Sequence, residues 1–301
     1  RLSAELTSAE DGALVWSDRY DRDLVDVFAL QDDIGRSVAE AVQPAVRGVE
    51  IERARRKPLA NLSAYALYLR ALPLVWAGTR DGIGSAIDLL RRSLILDDSS
   101  TASLAILGWC LLWAPILGAT PSADTLEEAH ILARRAVGLD PNDAFAQAVY
   151  AHALAWIKED CAQGILHAEE AIRLNPSSAF AWSSRGFVSN QAGEFAQAVE
   201  CLKMAVQLSP ADISFYWWWM TCLSAAYFAL EQYADGSAAA RKAVQRNPNF
   251  GTAHRLLAAN LALGGRLMEA KETTRQRDLV QKTTLTEIKA MRLFHQDDVM
   301  D

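Results

Sequence analysis

The stretch "AFAWSSRGFVSNQAGEFAQAVECLKMAVQLSP", residues Ala179–Pro210, decides the fold of this chain. Two apolar segments of helical length flank a turn that begins "AGE". In the second segment, Ala198 and Ala205 share one helical face, and Pro210 ends the helix because proline lacks an N–H donor and clashes with the preceding turn. The stretch therefore predicts two helices that pack against each other.

The second half of this stretch recurs along the chain. Its terminating prolines are Pro141, Pro176, Pro210 and Pro248, at intervals of 35, 34 and 38 residues, and an earlier copy ends at Asp98. A small residue stands five positions before each end (Ser93, Ala136, Ala171, Ala205 and Ala243), and another stands twelve before it (Ala86, Ala129, Gly164, Ala198 and Gly236). Because small side chains let a neighbouring helix backbone approach closely, each copy predicts one tightly packed helix.

A fixed period of this length indicates a helical repeat protein. Trp182, Gly186, Ala198, Ala205 and Pro210 resemble the signature of the tetratricopeptide repeat, whose period is 34 residues. We therefore predict a mainly α fold, in which residues 61–280 form a tetratricopeptide-repeat superhelix of five to six helix pairs.

Two units depart from the period. About nine extra residues, "GATPSADT" among them, separate "ILGWCLLWAPILG" from the helix of "LEEAHILARRA", and we expect a longer loop there. The other unit has four extra residues between Pro210 and Pro248, near "ISFYWWWMTC". Because four residues make just over one helical turn, we expect the tryptophan helix to be one turn longer than its counterparts.

The composition restricts the class of partner. The chain has 301 residues, a formal charge of −7 and a pI near 5.3, which disfavours nucleic acid and anionic membranes as partners of this chain. We interpret the basic cluster "ERARRKP", residues 52–58, as a solvated helix end. The uncharged segment 101–123 is long enough to span a bilayer, but Pro115 and the repeat register favour a buried helix.

No chemistry-bearing motif emerges from the sequence. Four dispersed cysteines form no C-x-x-C pair and five histidines show no ligand spacing, so we expect free thiols in the cytoplasm, no metal and no cofactor. "GTRDGIG", residues 78–84, lacks the lysine of a phosphate-binding loop and is interpreted as a repeat turn. No catalytic residue is predicted, and we expect this chain to be non-enzymatic.

The first 57 residues differ from the repeats. "LSAELT" and "ALVWSDRY" alternate like strands around an Asp11–Gly12 turn, and "DVFALQDDIGRSVAEAV" follows with helical spacing. The stretch "LSAELTSAEDGALVWSDRYDRDLVDVFALQDDI" resembles the end of the TolB-like α/β domain that precedes tetratricopeptide repeats in bacterial adenylate or guanylate cyclase-like proteins. "RARRKPLANLSAYALYLRAL" and "NFGTAHRLLAANLALGGRLMEA" resemble that family's first and last repeat regions.

This resemblance implies three parts: residues 1–57 as the end of a TolB-like domain with a linker helix, 61–280 as repeats, and 281–301 as a capping helix or tail. The tail carries Leu285, Ile288, Met291 and Leu293 for capping, and self-association is the alternative use of an exposed end repeat. The family's cyclase domain lies before everything present here, and some relatives carry a winged-helix DNA-binding domain instead. The resemblance thus implies a regulatory region of a cyclase-like signalling protein, or alternatively of a winged-helix transcriptional regulator.

The concave side of such a superhelix is formed by the first helix of each pair and can hold a protein or peptide partner. Resemblance to tetratricopeptide proteins places these side chains on it: Phe145, Ala148 and His152, then Phe180, Ser183, Phe187, Asn190 and Gln191, and finally Arg255. For the tryptophan helix, counting forward from Pro210 selects Trp217, Thr221 and Ala225, whereas counting back from Pro248 selects Trp218, Thr221 and Ala225. Either an aromatic anchor or complete burial of the tryptophans fits the sequence, and Trp219 is expected to pack inward.

Overall fold

The computed structural model describes residues 2–7, 12, 14–20, 46, 48–52, 54–55, 63–117, 123–209 and 215–280. Strands β1 (Leu2–Thr7) and β2 (Leu14–Tyr20) pair antiparallel, with Leu2 opposite Tyr20 and an irregularity between Leu6 and Thr7. Membership of these strands in a TolB-like domain stays a prediction. The helix expected after Tyr20 and the cap expected in residues 281–301 lie outside the described residues.

The described residues 46, 48–52 and 54–55 are helical, and the helices described from Ala64 to Val280 fall into six consecutive pairs. The pairs are α1 (Ala64–Trp76) and α2 (Arg80–Leu96), α3 (Thr101–Ile116) and α4 (Ala123–Leu139), α5 (Ala144–Ile157) and α6 (Cys161–Leu174), α7 (Ala179–Gln191) and α8 (Phe195–Leu208), α9 (Tyr216–Ala229) and α10 (Tyr233–Arg246), and α11 (Gly251–Leu263) and α12 (Leu267–Val280). Each helix packs on the next, and each first helix also packs on the first helix of the next pair. This is the stacked arrangement of a helical repeat array.

The small residues predicted from the period lie at the points where helices touch. Ser93, Ala136, Ala171, Ala205 and Ala243 have no exposed surface. The second set, Ala86, Ala129, Gly164, Ala198 and Gly236, is also buried. At Gly186 an added Cβ would lie 2.6 Å from Leu202 Cγ, so the repeat glycine is required by the close approach of α7 and α8.

Short connections with polar caps join the pairs. Four residues connect successive pairs at 97–100, 140–143, 175–178 and 247–250. In three of these connections the last residue is Ser100, Asp143 or Ser178, and its side-chain oxygen accepts a hydrogen bond from a backbone N–H of the following first turn. Such caps satisfy N–H groups that have no partner within the helix, and they fix where each helix begins.

The carbonyl groups of the three described terminating prolines, Pro141, Pro176 and Pro248, are bonded by side chains of the following helix. Gln147 Nε2 donates to the carbonyl of Pro141, and Trp182 Nε1 donates to that of Pro176, each at 2.8 Å. His254 Nε2 lies 2.8 Å from the carbonyl of Pro248 and donates in the tautomer protonated at that nitrogen. The donor therefore stands six residues after the proline in each of these units.

The tryptophan helix is not longer than its counterparts, and that expectation is wrong. Helix α9 has 14 residues, whereas α7 has 13 and α5 has 14. The extra residues instead lie before the helix, because the connection 209–215 has seven residues where other connections between pairs have four. A residue count alone does not distinguish a longer helix from a longer connection.

The other expected insertion is only partly a loop. The connection between α3 and α4, residues 117–122, has six residues, whereas the turns within the other pairs have three. Helices α3 and α4 also have 16 and 17 residues, so the insertion extends both helices as well. Helix α3 is buried on nearly every side, as predicted for this segment. None of the described helices has the length and apolar character needed to cross a bilayer.

Candidate functional site

The first helices α3, α5, α7, α9 and α11 direct aromatic side chains to a shared face, which we call the concave face. Ten rings from these helices and the residues immediately before them form what we call the aromatic cluster: Trp109, Trp113, Phe145, His152, Phe180, Phe187, Phe215, Trp217, Trp218 and Phe250. The four phenylalanines Phe145, Phe180, Phe215 and Phe250 are spaced by 35 residues. Phe145 and Phe180 lie in the first turns of α5 and α7, whereas Phe215 and Phe250 immediately precede α9 and α11.

Trp109 occupies the centre of the cluster. Its ring meets His152 at 5.0 Å and Phe180 at 4.9 Å, in both cases edge to face. Phe180 in turn stacks on Phe145 at 4.7 Å, and His152 stacks on Phe187 at 4.6 Å. These are the offset and edge-on geometries that aromatic rings prefer, so the cluster is a packed structure rather than a row of isolated side chains.

Some of these contacts join helix pairs that are not neighbours. Trp113, in the second pair, lies 5.4 Å from Trp217 and 5.0 Å from Trp218, in the fifth pair. Phe215, just before α9, lies 5.9 Å from both Trp109 and Trp113. We call these four contacts the ring bridge. They close the concave face between α3 and α9.

The predicted groove residues are mostly buried. Those with little exposed surface are His152, Ser183, Phe187, Asn190, Gln191, Trp217, Trp218 and Thr221, while Phe145, Phe180 and Arg255 are partly exposed. The face is therefore filled by its own side chains over much of its length, because the rings of successive first helices pack on one another. A role of these residues in partner binding stays a prediction.

The structure favours burial over exposure for all three adjacent tryptophans. Trp217 is 5% exposed, Trp218 is 4% exposed and Trp219 is 2% exposed. The inward packing expected for Trp219 is thus confirmed.

The ends of the first helices distinguish the two registers considered for the tryptophan helix. Helices α7 and α9 end 38 residues apart, at Gln191 and Ala229, and this equals the interval between Pro210 and Pro248, which follow their partner helices. The register counted back from Pro248 therefore fits better and gives Trp218 the position of Phe180.

A buried polar group lies beside the rings. The Nδ1 atom of His152 lies 3.1 Å from the carbonyl of Ala148 and 2.9 Å from Ser184 Oγ. Ser184 Oγ also donates to that carbonyl at 2.8 Å. Burial lowers the pKa of His152 to about 4, so the ring is neutral at pH 7. These contacts join α5 to α7 through a hydrogen-bonded group that carries no net charge.

Other predicted groove residues bond the helices to each other. Asn190 Nδ2 donates to the carbonyl of Cys222 at 2.9 Å, which links α7 to α9. Thr221 Oγ1 and Ser183 Oγ donate to carbonyls of their own helices. Arg255 Nη2 lies 2.5 Å from the hydroxyl of Thr252. These side chains therefore contribute to the array itself, in addition to any role in binding.

The two tryptophans of α3 are the main residues that sequence reasoning missed. Trp109 and Trp113 are each 3% exposed, and among the described residues neither indole N–H finds an acceptor. Their separation of four residues places both on one face of α3, and this spacing together with the phenylalanine period was the available signal. Phe215 and Phe250 were also missed, although the 35-residue spacing from Phe180 pointed to them.

Two open depressions lie outside the concave face, at equivalent positions in two successive helix pairs. The larger, about 580 Å³, lies beside Arg185, Glu194 and Leu230, and the smaller, about 390 Å³, lies beside Tyr233 and Asn260. Arg185 in the first depression is already paired with Glu194 and Glu169 at 3.3 Å.

In the described part of the chain, no three acidic, histidine or cysteine residues are arranged to hold a metal ion.

Comparison with known structures identifies the fold as that of tetratricopeptide-repeat proteins. The chain is similar to a thermophilic TPR protein of Thermus thermophilus, with a TM-score of 0.51 and 19% identity over 70% of this chain and 100% of that one. A human IFIT1 dimer with m7Gppp-AAAA gives a TM-score of 0.62 and 18% identity over 76% of this chain and 52% of that one. PilF of Pseudomonas aeruginosa gives a TM-score of 0.50 and 16% identity over 65% of this chain and 83% of that one.

Comparison of sequences gives a more specific but shorter match. No protein-family model matches the chain. It is 29% identical over 161 residues to the "Putative adenylate cyclase 3" of Rhizobium meliloti (strain 1021). The match covers 52% of this chain and only 27% of that protein, so the matched segment spans about a quarter of the length of this relative.

Proposed function

We propose that this chain is a non-catalytic, partner-binding region that holds a protein or peptide segment on its concave face. The observation that carries the proposal is the set of first helices that share one face lined with aromatic side chains. Phe145 and Phe180 on this face are partly exposed and stack on each other, so they offer a starting point for contact with an apolar side chain. The predicted groove residues, including Asn190 and Arg255, complete the proposed surface.

The host of this region is, in our proposal, a multidomain bacterial signalling protein of the adenylate or guanylate cyclase type. The 161-residue match to a protein named as a putative cyclase supports it, as does the resemblance of residues 1–57 to the end of a TolB-like domain. The proposed parts are 1–57 as the end of a TolB-like domain with a linker helix, 61–280 as repeats and 281–301 as a cap or tail. The proposed location is the cytoplasm. A winged-helix transcriptional regulator is the alternative host, and the sequence preceding Arg1 distinguishes the two.

Catalysis is assigned to another part of the host protein. The purified chain should give only background in adenylate and guanylate cyclase assays, because no nucleotide-binding motif is present in it. The intact host protein should turn over nucleotide under the same conditions. Cyclase turnover by residues 1–301 alone would refute the non-catalytic assignment, and its absence from the intact protein would speak against the cyclase host.

A protein segment is favoured over nucleic acid as the occupant of the concave face. Human IFIT1 holds m7Gppp-AAAA within the same type of fold, so the fold itself does not exclude RNA. The charge here is −7, and the predicted groove residues include a single cation, Arg255, whereas phosphate binding requires clustered cations. Self-association through an end repeat remains a separate proposal, which light scattering with and without residues 281–301 tests.

Photo-crosslinking from defined positions tests the proposed surface. A benzophenone amino acid replaces Phe145 or Phe180 in the intact protein in cells, and the matched control carries it at Ile95, which is 82% exposed on the second helix α2. The proposal expects a discrete crosslinked partner from the concave-face positions only. The same products from Ile95, or none from Phe145 and Phe180, would contradict it.

A further inference from the structure

The ring bridge joins distant parts of the array through side chains. Close backbone packing in the described chain links helices that are adjacent in sequence and first helices of adjacent pairs. Helices α3 and α9 are three pairs apart, yet Trp113 touches Trp217 and Trp218 at 5.4 and 5.0 Å. Separating these rings would leave the packing between neighbouring helices in place. The bridge is therefore a set of side-chain contacts distinct from the packing between neighbouring helices.

The closed bridge buries two polar groups that have no hydrogen-bond partner among the described residues. The indole N–H groups of Trp109 and Trp113 are buried and find no acceptor among the described residues. A buried donor without an acceptor disfavours the state that buries it, since the donor would bond to water if exposed. Both groups lie on the α3 side of the bridge. The closed arrangement therefore combines favourable ring contacts with a cost that opening would remove.

The chemistry of the cluster defines what would satisfy these groups. The rings that form the ring bridge are uncharged, and the one titratable ring of the cluster, His152, is neutral at pH 7. Arg255, the charged residue among the predicted groove residues, lies on α11 and not on α3 or α9. A charged segment would lose its hydration there without gaining an opposite charge. An extended peptide presents carbonyl acceptors along its backbone and places alternate side chains on one side. Its carbonyls suit the two indole donors, and apolar side chains suit the rings.

We propose that the ring bridge is a latch that closes the concave face, and that an extended, uncharged and apolar peptide segment opens it by replacing Phe215 and Trp217 against Trp109 and Trp113. This inference rests on the proposed function, since it specifies the partner of the same face. The latch makes the open face a minor state, and the partner selects that state.

Spin-label distances measure the latch without any ligand. Labels are placed at Gly138→Cys on α4 and Ala238→Cys on α10, both exposed, in a Cys161→Ser background because the other native cysteines are buried. Trp217→Ala removes one side of the latch and keeps both indole donors of α3. It should lengthen or broaden the distance between the labels, whereas the core control Leu202→Ala, outside the ring bridge, should not.

Peptide titration measures the partner. The probe is a capped peptide of alternating leucine and serine, and its matched control alternates glutamate and serine. The wild-type chain should bind the leucine peptide, with the label distance lengthening as it saturates, and Trp217→Ala should bind it about tenfold more tightly because the latch no longer competes. The glutamate peptide should not bind. If Trp217→Ala fails to fold, Phe215→Ala, which loses the contacts with Trp109 and Trp113, carries the same test.

The outcomes separate the latch from the proposed function. An unchanged label distance in the latch variants, with equal leucine-peptide affinity in variant and wild type, would overturn the latch and leave a peptide-binding face. A lengthened distance without binding of the leucine peptide to any form would keep the latch and overturn its proposed partner. Equal binding of the glutamate peptide would overturn the assignment of an uncharged segment.

Discussion

Acidification should destabilise this protein through His152. The ring is 2% exposed and packs between Trp109 and Phe187, and burial lowers its pKa from 6.5 to about 4. The folded state thus binds a proton less readily than the unfolded chain. The stability that the neutral ring contributes is fully present above pH 6.5 and is lost as the pH falls from 6.5 to 4.

The size of the effect follows from the two pKa values. At pH 5 the unfolded chain has gained most of a proton at this site while the folded chain has gained little, which corresponds to a loss of about 2 kcal/mol relative to pH 7.5. Below pH 4 the full difference amounts to about 3 kcal/mol. These values are a large share of the stability of a typical domain.

Urea unfolding of the wild type and of His152→Phe at a series of pH values checks this prediction. Phenylalanine keeps an aromatic ring against Phe187 and cannot take up a proton, and Ser184 retains its bond to the carbonyl of Ala148. The variant should therefore lose about 2 kcal/mol less than the wild type between pH 7.5 and pH 5. Parallel pH dependence in the two proteins, or a folded-state pKa near 6.5 by NMR titration of His152, would refute the reasoning.

Three further predictions follow from individual contacts. Gly186→Ala should lower the free energy of unfolding by about 1–3 kcal/mol, because its Cβ would lie 2.6 Å from a leucine atom. Gly84→Ala, in open space on α2, should instead raise the free energy of unfolding by up to about 1 kcal/mol. Urea unfolding midpoints measure both changes, and equal shifts in the two variants would contradict the packing argument. Trp182→Phe should lower the free energy of unfolding by about 1 kcal/mol, because the Pro176 carbonyl loses its indole donor. Trp109→Phe should lower it less or raise it, since that indole N–H has no acceptor among the described residues. Thermal unfolding that ranks the two variants the other way would be inconsistent with both assignments. In the native protein a thiol reagent should modify Cys161 alone, because the other three cysteines are buried and Cys161 is partly exposed. Burial raises the pKa of all four thiols, so the difference in access decides the reaction. Modification of more than one thiol per chain before unfolding would contradict this.

The repeat boundaries could be predicted because they depend on local chemistry. Proline disfavours the continuation of a helix, so Pro141, Pro176 and Pro248 mark where second helices have ended, although Pro73 and Pro115 lie within the last turns of α1 and α3. A small residue such as Ala205 or Ala243 indicates close packing through its size alone. The fate of the extra residues before Tyr216 was not predictable in this way, since a helix and a connection use the same residue count. Residues 209–215 form the longer connection, and the helix keeps its normal length.

The ring bridge depends on information that no single unit contains. Whether Trp113 reaches Trp217 depends on the curvature of the array, which is the sum of small rotations between successive pairs. The sequence predicted that Phe180 and Phe187 lie on one face, and in the structure both belong to the aromatic cluster, but the contacts across that face were not predicted. Local spacing predicts the direction of a side chain, whereas a contact three pairs away requires the accumulated geometry of the pairs between.

The bonds to the proline carbonyls show what a repeat position encodes. Gln147, Trp182 and His254 differ in size, aromaticity and acid–base behaviour, yet each makes the same 2.8 Å contact with the carbonyl six residues earlier. A comparison based on residue identity scores these positions as mismatches, whereas a comparison based on donor geometry scores them as equal. At this position the three copies share one ring or amide nitrogen at a fixed distance from the carbonyl, while the rest of the side chain differs among them.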